Sequence, residues 1–106
     1  MRYRCQYPHL QVRRSAIHGR GLFPRAPIRA GTRIGEYRGE RTTRNGAYVL
    51  WIQEDGTVYG IIGRNELRFM NHSASPNAWF DGPVLYALRL IEPGEEITLD
   101  YGEDWR

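Results

Sequence analysis

With 106 residues, 41% apolar and 25% charged, the chain has the composition of one globular domain of ordinary size, not of a disordered segment. Its longest apolar stretch, residues 48–52, falls far short of the roughly 20 residues that cross a bilayer, and no apolar run follows the basic N-terminus, so neither a membrane span nor a secretory signal is expected. All 15 cationic residues are arginine and the net charge is +3, but the arginines are dispersed, which tells against a nucleic-acid-binding face.

Short β-patterned runs dominate and helical periodicity is nearly absent, so the expected fold is mostly β. In chain order the expected strands are residues 11–14, 22–24, 33–38, 48–53, 58–62, 78–80, 85–90 and 96–99. Asp55-Gly56 and Asp81-Gly82 stand between such runs and predict tight hairpins, because glycine takes positive φ without steric cost. Alternation at Tyr86, Leu88 and Leu90 predicts one inward apolar face. Residues 65–69 suit a single helical turn, and Pro93-Gly94 marks a turn before the last strand.

One cysteine, Cys5, excludes an internal disulfide and a cysteine-built zinc cluster. His9, His18 and His72 are scattered, so no metal is expected. A reducing, intracellular setting follows. Six acids lie in the last fifteen residues, and a face built there would favour a basic ligand.

Three segments concentrate chemistry. His18-Gly19-Arg20-Gly21-Leu22-Phe23 has two glycines that let the backbone approach a ligand or another strand closely. It lacks the third glycine of a dinucleotide fingerprint and the lysine of a phosphate loop. Arg68-Phe69-Met70-Asn71-His72-Ser73 with Ser75-Pro76-Asn77 is a dense polar run between apolar strands, costly to bury unless its groups are paired. Within it, the His72 ring reads as a hydrogen-bonded structural group. Gly94-Glu95-Glu96-Ile97-Thr98-Leu99-Asp100-Tyr101-Gly102 sets a tyrosine after a short strand, beside an acid and a glycine.

In order, spacing and wording these segments, with Glu36-Tyr37-Arg38-Gly39-Glu40, resemble the SET-domain family of protein-lysine methyltransferases from about residue 13 to residue 105. The resemblance implies small curved sheets with little helix and a C-terminal pseudoknot that brings the Asn71-His72 loop against Tyr101. It implies one minimal domain over residues 1–106 without flanking zinc modules. The implied cofactor is S-adenosylmethionine. The implied substrate is a lysine in a basic protein segment such as a histone tail, in the cytoplasm of a microbe or in the nucleus. Tyr101 and Tyr37 take the catalytic places, Tyr37 helping to orient the amine. Tyr37, Leu99 and Tyr101 line the lysine channel. His18, Gly19, Arg20, Gly21, Tyr48, Arg68, Asn71, His72 and Trp105 fall at cofactor positions.

Leu99 departs from the family's usual Phe or Tyr and leaves the number of methyls open. Ala74 replaces the usual Cys, a change of packing. The stretch between Glu40 and Arg68 is short, so the substrate groove is open, or closed by residues 102–106 or by a second subunit in a homodimer. Two other readings stand beside this one: a catalytically weak SET-like binding module, and an arginine-rich β domain that binds nucleic acid. Neither membrane nor direct nucleic-acid partners are expected.

Overall fold

The computed structural model describes residues 4–101. Ten short strands form four small sheets. β1 (Leu10–Arg14) and β2 (Arg20–Pro24) make an antiparallel pair. β3 (Arg33–Glu36), β9 (Val84–Ala87) and β8 (Ala78–Asp81) lie in that order in the second sheet. The third runs β4 (Gly39–Thr42), β6 (Thr57–Gly63), β5 (Val49–Glu54). The fourth joins β7 (Asn71–His72) to β10 (Thr98–Leu99) in parallel. A 3₁₀ turn at Glu66–Phe69 is the only helical element among the described residues, and none of their helices is long and apolar enough to cross a membrane.

The core is spread across these sheets. Leu10, Leu22, Ile34, Leu67, Leu85, Ile91 and Ile97 are essentially buried and come from almost every part of the chain. Beneath the 3₁₀ turn the carboxylate of Glu66, wholly buried, accepts the Gln6 and Tyr7 amide N–H groups at 2.9 and 2.6 Å. Those bonds offset the cost of burying a polar group.

The C-terminal segment closes the fold. Ile97 N–H donates to the Leu22 carbonyl at 2.8 Å, and Thr98 and Leu99 then run beside Asn71 and His72. Asn77, 2% exposed, clamps this segment with both ends of its amide: Nδ2 donates to the Glu96 carbonyl and Oδ1 accepts the Thr98 N–H, each at 2.8 Å. A parallel pair needs a long connection. Here the connection carries β8 and β9, and β10 returns between β2 and β7 as the expected pseudoknot.

Several expectations are refined. Asp55 and Gly56 both have positive φ, 50° and 76°, as a two-residue type I′ hairpin requires. In the second hairpin Asp81 pairs with Val84, so Gly82 and Pro83 make the turn. The expected strand 33–38 ends at Glu36, because Tyr37 turns inward between sheets and its N–H bonds the Pro83 carbonyl at 2.7 Å. The inward face of β9 is Leu85 and Ala87; Leu88 and Leu90 lie half exposed beyond the end of the strand. The alternation at Tyr86, Leu88 and Leu90 therefore had the opposite phase. The chain leaves the sheet at Leu88, whose N–H turns to the Asn77 carbonyl at 2.8 Å.

Candidate active site

Parallel pairing of β7 with β10 brings the second and third chemistry-bearing segments together. The Tyr101 N–H donates to His72 Nδ1 at 2.9 Å, across 29 positions of sequence, and the two rings meet edge-on at 5.3 Å. His72 is thus hydrogen-bonded through its ring. The Tyr101 hydroxyl donates to the Met70 carbonyl.

Tyr37, 6% exposed, sends its hydroxyl to the Tyr48 carbonyl at 2.6 Å and packs edge-on against Phe80 at 5.8 Å. Gly63 makes room for it, since a Cβ there would overlap the phenol. Burial first, and then the neighbouring Tyr101 phenol, push Tyr37 far above the ordinary tyrosine value, against a smaller pull from Arg68. Tyr101 is raised as well, by partial burial and then by the charge of Glu96. Both hydroxyls therefore stay neutral at physiological pH.

Tyr48 has a φ of 64°, a costly conformation for a bulky residue. This turn aims its carbonyl at two donors, the Tyr37 hydroxyl and the Gly63 N–H at 2.8 Å. Its ring, half exposed, meets Phe69 edge-on at 6.4 Å. The Arg68 guanidinium lies 5.7 Å from the Tyr48 ring centre and 4.7 Å from that of Phe69. Leu99, in register with His72, packs its partly buried side chain on the core.

The glycine-rich segment joins this site through Asn71. Asn71 Nδ2 faces four acceptors: the His18 carbonyl at 3.1 Å, the Arg20 carbonyl at 3.0 Å, Ser15 Oγ at 3.1 Å and Glu96 Oε2 at 2.7 Å. The two glycines serve different needs. Gly19 takes a φ of 48° to make the turn, whereas Gly21 makes room for Glu96, whose Cδ would lie 2.6 Å from an added Cβ. His18, Gly19 and Arg20 are exposed along this loop.

Sequence reasoning did not single out Ser15 or Glu96. Glu96 was one acid of an acidic tail, and the signal for it was indirect: a glycine at 21 implies a close neighbour. Trp105 lies outside the described residues, as do the other positions expected to close the substrate groove.

Small sheets closed by a threaded C-terminal segment, with Tyr101 bonded to His72 and Met70 where β10 meets β7, define a pseudoknotted β domain. The SET domain family model matches residues 19–102, and the chain belongs to that family. Similar proteins include histone-lysine N-methyltransferase trithorax of Drosophila virilis, 35% identical over 88% of this chain and 3% of that protein. Human histone-lysine N-methyltransferase 2B is 37% identical over 85% of this chain and 4% of that protein. The chain thus spans only a few per cent of the length of these curated relatives. Among solved structures, the methyltransferase domain of human histone-lysine N-methyltransferase SETMAR superposes with a TM-score of 0.77 at 28% identity, over 92% of this chain and 45% of that one. The methyltransferase domain of human PR domain-containing protein 2 gives 0.72 at 22% identity, over 93% and 82%, which supports the fold alone.

Proposed function

We propose that the chain is a protein-lysine N-methyltransferase that takes its methyl group from S-adenosylmethionine. The observation that carries this reading is a pair of neighbouring phenols, Tyr37 bonded to the Tyr48 carbonyl and Tyr101 bonded to the Met70 carbonyl. Neutral phenols and main-chain carbonyl oxygens complement a positively charged group. A sulfonium and a lysine ammonium are both of that kind.

S-adenosylmethionine supplies an activated methyl group when bound. The main chain of His18, Gly19 and Arg20, with Gly21, would hold its amino-acid end. Tyr48, Arg68, Asn71 and His72 would form the rest of the pocket, with Trp105 against the adenine. Asn71 spends its amide N–H groups on the loop carbonyls and on Glu96, so its contribution is to shape the loop.

Lysine attacks only as the neutral amine, and free lysine has a pKa of about 10.4. An apolar, aromatic channel of Tyr37, Leu99 and Tyr101 disfavours the ammonium form by desolvation. The two hydroxyls then fix the direction of the nitrogen lone pair, and alignment in a site sheltered from water supplies much of the rate. The acids at Glu92, Glu95 and Asp100 suit a basic substrate segment. The names of the curated relatives suggest a histone tail as the first candidate, which would put the protein on chromatin. The test is calorimetry with S-adenosylmethionine, followed by detection of S-adenosylhomocysteine formed with a lysine-containing basic protein. Binding with acceptor-dependent turnover is expected. Binding without turnover for any lysine-rich acceptor would leave a binding module instead.

A further inference from the structure

We infer that Glu96 is a positioning residue for the cofactor loop, because its carboxylate grips that loop and β7 at once. The inference rests on the methyltransferase reading above. Each carboxylate oxygen has its own donor. Oε1 accepts the Ser15 hydroxyl at 2.6 Å, and Oε2 accepts the Asn71 amide at 2.7 Å. Bonds to an ionised acceptor are short and among the stronger ones in proteins.

The two donors carry the geometry outward into the loop. Ser15 Oγ accepts the Ile17 and His18 N–H groups at 2.8 and 3.3 Å, while the Ser15 N–H donates to the Gly19 carbonyl at 2.8 Å. Asn71 faces the carbonyls of His18 and Arg20. The backbone from residue 17 to residue 20 is therefore oriented from both sides by groups that Glu96 anchors. Gly21 belongs to the same device. A side chain there would occupy the space of the carboxylate, with Ser15 Cβ only 3.1 Å away on the other side.

Glu96 is also placed to couple the loop to the tyrosine. It sits one residue before the threaded Ile97, on the segment that carries Tyr101. The segment does not depend on this side chain for its attachment. Ile97 N–H is held by Leu22, and the main chain of Glu96 and Thr98 by Asn77. Loss of the carboxylate should therefore loosen the loop without releasing the fold.

Glu96→Gln keeps the size of the side chain but cannot accept from both donors. It should raise KM for S-adenosylmethionine about tenfold, the effect of losing one hydrogen bond to a charged group, while kcat at saturating cofactor and KM for the peptide stay near wild type. Amide exchange at Ile17 and His18 should accelerate in the cofactor-free protein, with exchange in β5 and β6 unchanged. Ser15→Ala, which removes one grip and keeps the charge, should give the same cofactor-selective change. Wild-type KM and wild-type exchange at Ile17 and His18 in both variants would overturn the inference. Failure of the wild-type protein to bind S-adenosylmethionine would instead overturn the methyltransferase reading, and the exchange at Ile17 and His18 would still decide whether Glu96 holds the loop.

Discussion

Replacing Asn77 with alanine is expected to loosen the threaded segment more than its small size suggests. The amide makes two bonds of 2.8 Å, one to the Thr98 N–H and one to the Glu96 carbonyl, and the residue is 2% exposed. Alanine removes both and leaves two main-chain groups without these partners. Each such group costs about 1–3 kcal/mol when buried, so a loss of about 2–4 kcal/mol is expected, with part of the upper range relieved by water at Glu96. Against a total stability of about 5–15 kcal/mol that is a large share, and it lowers Tm by about 10–20 °C in a domain of this size. Asn77→Asp separates the two bonds, because its carboxylate can still accept the Thr98 N–H but repels the Glu96 carbonyl. Its defect should ease at acid pH, where the protonated acid can donate. Urea denaturation gives the free energies, and amide exchange at Thr98 reports whether the segment detaches first. A loss below about 0.5 kcal/mol, typical of an indifferent surface substitution, with unchanged exchange at Thr98, would refute the clamp.

Tyr101→Phe should leave fold and cofactor affinity intact yet lower methyl transfer by about a hundredfold or more, the usual effect of losing one positioned polar group in an active site; steady-state kinetics with calorimetry decide it, and near-normal turnover would contradict the role. Transfer should rise from neutral to alkaline pH as the lysine sheds its proton, while Tyr37 and Tyr101, both raised above 10.0, remain protonated; a flat profile with chemistry rate-limiting would contradict this. The raised value makes the buried Tyr37 phenol stabilising below pH 10.0, a contribution lost as pH climbs past it. The chain has no lysine to titrate in that range, so thermal melts above pH 10 should show a steep loss that Tyr37→Phe reduces. Leu99 leaves more room than Phe or Tyr, so di- or trimethylated product is expected, and Leu99→Tyr should shift output towards one methyl; mass spectrometry at long reaction times checks it, and a wild type that halts at one methyl would contradict it.

How much of this was legible beforehand depended on whether the signal was local. Asp55-Gly56 dictates its own turn, and the polar run at Asn71–Asn77 advertised groups that needed partners. β4 was not legible, because Gly39-Glu40-Arg41-Thr42 is polar and largely exposed and becomes a strand only by pairing with β6. β7 is two residues inside a polar run and exists because β10 returns beside it. Leu88 and Leu90 continue an alternation that the structure ends at Ala87, where the turn of Leu88 towards Asn77 intervenes. In the site, Tyr37, Asn71, His72 and Tyr101 were named through family wording, whereas Ser15 and Glu96 were not. Their bonds span 81 and 25 positions of sequence, and no periodicity reaches that far. The left-handed turn of Tyr48 was equally hidden, since tyrosine is not a residue that advertises positive φ.

Methyl transfer at the crossing of β7 and β10 can be followed through the methyl itself. S-adenosylmethionine labelled in its methyl group is incubated with the protein and a histone-derived lysine peptide, and the peptide is sequenced by mass spectrometry. Label is expected on a lysine side-chain nitrogen with the wild-type protein and almost none with Tyr101→Phe of equal cofactor affinity. Label transferred equally well by both proteins, or found on a residue other than lysine, would contradict it.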